Sequence, residues 1–177
     1  MSKSRSTIIP KNPTDFNDVI RLLVASPIHN YNLQSTLTTT DENGKEDGAL
    51  IFASARSLQV LNDSQIKVIQ ADGTFKCVPD KNTGFYQLLV VKAIVKGESM
   101  PVLHVILTGK SEILYTKVTE WLKNRCENLE PEKVITDFEP ALMSSFESVY
   151  AGASIQGCDF HYDHLDIKTR RENGDKK

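Results

Sequence analysis

Apolar positions recur at helical spacing near the start of the chain, where Phe16, Val19, Ile20 and Leu23 fall on one side of DFNDVIRLLVA. A helix is predicted there, with Thr14 as its cap and Pro27 as its stop. Residues 27–48 are polar (NLQSTLTTTDENGKEDG) and read as a long loop or linker. ALIFAS then reads as a short strand and ARSLQVLN as a short helix or turn. Three β-rich runs follow: KVIQADGTFKCVP, FYQLLVVKAIV and MPVLHVILTG, joined by the turn segments DKNTG and KGES. An antiparallel meander over 66–78, 86–95 and 100–107 is expected. Ser111 is placed to cap a helix over 112–129, with Leu114, Val118, Trp121 and Leu122 on its apolar stripe. KVIT reads as a short buried strand, EPALMSSFESVY as a second helix and ASIQGC as a last strand. HYDHLDIKTRRENGDKK begins like a helix and ends as a charged tail.

From Lys67 the order is therefore β-β-β-α-β-α-β. Three antiparallel strands followed by βα units make an α/β chain with the mixed sheet of a ribonuclease-H-like core. The strand of Val134–Thr136 is expected beside the first strand of the meander. The organisation expected is a flexible arm, helix and polar linker over 1–48, the core over 49–167, and a charged tail over 168–177.

Composition narrows the picture. Hydrophobic residues make up 40% and charged residues 25% of 177, ordinary for a globular protein. No apolar run approaches the roughly 20 residues of a membrane span, and the N-terminus has no apolar segment of a secretory signal. Cys77, Cys126 and Cys158 are odd in number and scattered, which fits a reducing, intracellular setting, nuclear or cytoplasmic. A net charge of -2 supplies no broad electrostatic grip on nucleic acid.

Two acids stand out. Asp72 interrupts a strand-like run, where a buried carboxylate needs a metal or a donor network. Asp137 follows the apolar strand VIT, at the carboxyl end where open α/β sheets place their sites. If the first and fourth strands are neighbours, the two face each other and can share Mg²⁺ or Mn²⁺. The bland alternatives are an Asp-Gly turn at Asp72 and a helix cap at Asp137.

The succession ADGTFKCVP, FYQLLVV, GESMPVLHVILTGKSEILY, VITDFEPALMSSF and GCDFH resembles the MULE (Mutator-like element) transposase domain, over about residues 49–164. Each piece alone is weak, and their common order is the specific signal. That family is similar to other DD(E) cut-and-paste transposases with ribonuclease-H-like cores. The resemblance implies DNA as partner, a homo-oligomer as one arrangement, Mg²⁺ or Mn²⁺ as cofactor, and Asp72 and Asp137 as the first two catalytic acids. Glu139 reads instead as a first-turn acid favoured by the helix dipole.

Cys158 and His161 match the family's C-x-x-H signature. Such a spacing can hold zinc, with His164 as a third candidate ligand, but no fourth is in sight, so zinc is not expected. The preferred reading makes Cys158 the end of a buried strand and His161 a catalytic, site-lining residue beside the two aspartates. The family's third carboxylate, a Glu, lies on a late helix beyond a long helical insertion, and Asp163, Asp166 and Glu172 come too early to match it. The zinc finger that often precedes this core is not matched either. The core is thus expected to be incomplete at its C-terminus and inactive alone. The alternatives are a domesticated, non-enzymatic DNA- or protein-interaction module, and a nuclease completed by another chain or by further sequence.

Overall fold

The computed structural model describes residues 15–25, 32–40, 44–75, 78 and 84–158. In chain order the elements are α1 (Phe16–Ala25), β1 (Leu33–Thr40), β2 (Glu46–Phe52), α2 (Ala55–Leu61), β3 (Val68–Thr74), β4 (Gln87–Val95), β5 (Glu98–Leu107), α3 (Glu112–Arg125), β6 (Lys133–Thr136), α4 (Pro140–Val149) and β7 (Ser154–Gly157). Seven strands form one mixed sheet in the order β1-β2-β5-β4-β3-β6-β7. The meander β3-β4-β5 is antiparallel, and β6 and β7 join it in parallel on the β3 side.

Local chemistry explains the joints. Val95 pairs with Glu98, so Lys96 and Gly97 alone make the β4–β5 turn. Both have positive φ, 52° and 86°, as a turn matched to the sheet's twist requires. Ser111 caps α3 as expected, its hydroxyl accepting from the Leu114 amide at 3.4 Å. Parallel β6 and β7 each need a crossover, supplied by α3 and α4.

Strand alternation sends Ile69, Ala71, Leu89, Val91, Leu103 and Val105 to one face, where they are buried with Leu114, Tyr115, Val118 and Leu122 of α3 and Leu142 and Phe146 of α4. The opposite-facing residues Leu88, Val90, Lys92 and Ile94 are half-buried.

Two expectations are corrected, and a third, the Thr14 cap, falls outside the described residues. Residues 27–48 are not one long loop: 33–40 form β1 and pair with β2 from Leu33↔Phe52 to Thr40↔Glu46. The segment escapes notice because β1 is an edge strand, pairing among the described residues with β2 alone, and its threonines provide β-branching without hydrophobicity. At α1 the carboxylate of Asp15 accepts from the Asp18 amide at 2.9 Å, the contact expected of a capping side chain; Thr14 lies outside the described residues. Trp121 is only half-buried, packed at the margin of the core, while Tyr115 and Thr119 occupy the buried stripe of α3.

Candidate active site

The carboxyl ends of β3 and β6 lie side by side. Ala71 pairs with Thr136 in the last step of the parallel ladder, and Asp72 and Asp137 are the next residues on each strand. Adjacent strands run about 4.8 Å apart, so two widely separated acids of the sequence become backbone neighbours. Asp72 pairs with Val90 of β4 and is half-buried, its Oδ2 4.0 Å from the ammonium of Lys92. The Oδ1 of Asp137 is buried, and its Oδ2 lies against Gly73.

Gly73 is small because two side chains close over it. A Cβ there would come 2.8 Å from Gln87 Nε2 and 3.4 Å from Asp137 Oδ2. Successive Cβ positions alternate across a strand, so Asp137 approaches β3 from the side away from the Asp72 Cβ. Gln87 in turn is buried and donates to the Tyr115 hydroxyl at 2.8 Å. Burial pushes the Tyr115 phenol well above its ordinary value, and the nearby carboxylates of Glu139 and Asp137 push it the same way.

The turn after β6 is anchored from both sides. The Cys158 amide donates to the Thr136 carbonyl at 2.7 Å, which continues the β6–β7 pairing up to the site. The ring of Phe138 sits against Gly157, where no side chain fits. Pro140 opens α4 with Glu139 at the cap position, yet Glu139 makes no capping hydrogen bond. Its carboxylate reaches Lys110 at 3.2 Å, and that contact holds the lysine's pKa above its usual value.

The sequence model of the MULE transposase domain matches residues 68–164, more than half of the chain. The chain belongs to the MULE transposase family. No curated protein matches it. The matched part of the MULE domain contains both aspartates, the crossover helices and all strands from β3 to β7.

Of the MULE site residues expected from sequence, Asp72, Asp137 and Cys158 are therefore brought to one end of the sheet, but the two aspartates do not face each other as expected, because Asp137 lies on the Gly73 side of β3, away from the Asp72 Cβ. His161, like His164, lies outside the described residues. Cys158 is a free, half-buried cysteine, and among the described residues no three His, Cys, Asp or Glu side chains converge on one point. No helix among the described residues is long and apolar enough to cross a membrane. Lys92 was not singled out from sequence, whereas Gln87 and Tyr115 belong to the FYQLLVV and SEILY motifs of the family resemblance, with no role assigned to them there. Gln87 carries a signal that could have found it: it is a polar residue in phase with the buried Leu89, Val91 and Ala93.

Proposed function

We propose that residues 68–158 form a ribonuclease-H-like transposase core in which Asp72 and Asp137 together hold Mg²⁺ or Mn²⁺ for phosphodiester chemistry on DNA. The observation that carries this reading is the step beyond Ala71↔Thr136, which makes the two acids neighbours at the carboxyl ends of parallel strands. The order β5-β4-β3-β6-β7, antiparallel then parallel, supports the ribonuclease-H-like assignment. Both acids offer the hard oxygen donors that such cations prefer. To share an ion they must turn toward each other, Asp72 from Lys92 and Asp137 from Gly73, and mutual repulsion without the ion opposes that turn. A bound cation would polarise the phosphoryl oxygen and favour the attacking oxygen as its anion. Lys92 would steady the Asp72 carboxylate, and His161 would line the same site. Cys158 acts through its backbone, with zinc no part of the reading.

Two carboxylates hold one ion loosely, with several waters retained. The isolated chain is therefore expected to bind Mg²⁺ weakly and to perform no measurable strand transfer. Mn²⁺ titration of the wild type and of an Asp72→Asn, Asp137→Asn double variant tests the site, alongside incubation of each with supercoiled plasmid. Binding that disappears in the double variant is expected; equal binding by both proteins would sink the site. Plasmid nicking that only the wild type performs would show instead that a third ligand completes it.

A further inference from the structure

Large side chains exposed among the described residues include Phe75, Tyr86 and Phe138 at 51%, 43% and 44%. All three sit at the edge where β3 and β6 end: Phe75 directly follows β3, Tyr86 directly precedes β4, and Phe138 directly follows Asp137. Phe75 and Tyr86 meet edge to face, ring centroids 5.3 Å apart and planes 78° apart. That geometry uses the edge of one ring and a face of the other, and exposure of both rings leaves π surface open to solvent.

We propose that Phe75 and Tyr86 form a stacking platform for an unpaired nucleobase beside the phosphate-processing end of the sheet. The inference rests on the DNA-processing reading above and names the form of DNA that the site accepts. Two rings are far too small for a protein interface, which takes roughly 800 Å² from each partner. A flat, sequence-tolerant partner suits them, since every base offers a π face. Phe75 lies three residues beyond Asp72, about 10 Å along an extended chain. At about 3.4 Å per nucleotide, that is a few nucleotides from a phosphate held at the aspartates. Lys110, half-exposed nearby, is paired with Glu139 at 3.2 Å, so the recognition rests on the rings and not on its charge. Phe138, against Gly157, bounds the site on the β7 side.

The test uses the full chain in EDTA, so that metal binding at the aspartates plays no part. The probes are a blunt DNA duplex and the same duplex with a single-stranded 3′ overhang carrying 2-aminopurine. The wild type is expected to prefer the overhang and to quench the 2-aminopurine by stacking. Phe75→Leu and Tyr86→Leu keep apolar bulk but lose the π face. Each is expected to weaken overhang binding by about 5- to 150-fold and leave blunt-duplex binding unchanged. Tyr86→Phe should behave as wild type, and Asp72→Asn, Asp137→Asn should keep the overhang preference. Leucine variants that bind and quench like the wild type would overturn the platform, as would a wild type that treats both probes alike. Loss of the preference in the aspartate double variant would overturn it too, by moving the recognition to the carboxylates. Failure of the Mn²⁺ titration leaves this readout intact, so the two proposals fall separately.

Discussion

At the scale of single residues, the site depends on a missing side chain. Gly73 lies beneath Gln87 and Asp137, and Gln87 is buried and tied to Tyr115, so it has little freedom to move aside. Gly73→Ala should therefore cost about 1–3 kcal/mol, the range of overpacked cores, read as a lower urea midpoint. Tyr115 and Tyr150 make a second prediction. Burial raises both phenols above their ordinary 10.0, as the first cause in each case. The fold thus keeps protons that the unfolded chain releases, and stability is full below pH 10 and lost as pH rises beyond it. Each tyrosine contributes a slope of up to about 1.4 kcal/mol per pH unit. Urea unfolding followed from pH 8 to 11 should show the decline, and Tyr150→Phe should flatten it. That change is the cleaner of the two, since the Tyr150 hydroxyl has no hydrogen-bond partner among the described residues.

At the scale of elements, α3 joins the meander to β6 and lays its buried stripe on the sheet. Leu122 on that stripe is 1% exposed, whereas Trp121 stands at its edge. Leu122→Ala should cost about 2–5 kcal/mol, and Trp121→Ala less than the 3–5 kcal/mol of a fully buried tryptophan. Thermal unfolding of the two variants decides the order. If Trp121→Ala were the more damaging, the assignment of the buried stripe would be wrong. The register of the apolar positions alone favours Trp121, since a helical wheel reports direction and not depth. Depth is set by the neighbours that α3 meets, and its buried Tyr115 and Thr119 engage Gln87 and Ser145 through polar atoms.

At the scale of the whole molecule, the β1–β2 hairpin extends the sheet beyond the five strands of the matched domain. β2 carries Ala49, Leu50 and Ile51, all fully buried, and it pairs with β1 on one side and β5 on the other. A variant starting at residue 46 would turn this apolar strand into an open edge, a template for pairing with other chains. It should aggregate where the full chain stays monodisperse, as size-exclusion chromatography would report. A soluble, monodisperse truncated protein would show that β1 adds nothing to the body of the fold.

The hydrophobic pattern by itself determined the elements from β3 to β7. Period-2 and period-3.6 alternation is written locally, and Gly, Pro and Ser punctuate it at Gly97, Pro131 and Ser111. The order of short motifs also singled out Asp72 and Asp137 as the pair to watch. Only the tertiary structure decided what each of these residues meets. That Asp72 reaches Lys92, that Gln87 and Tyr115 pair beneath Gly73, and that Phe75 and Tyr86 share one edge are contacts between separate strands and helices. Such contacts follow from strand order and register, which local periodicity does not encode. The same reason hid β1, whose threonines become a strand because β2 offers an edge to pair with, and not because their own pattern demands it.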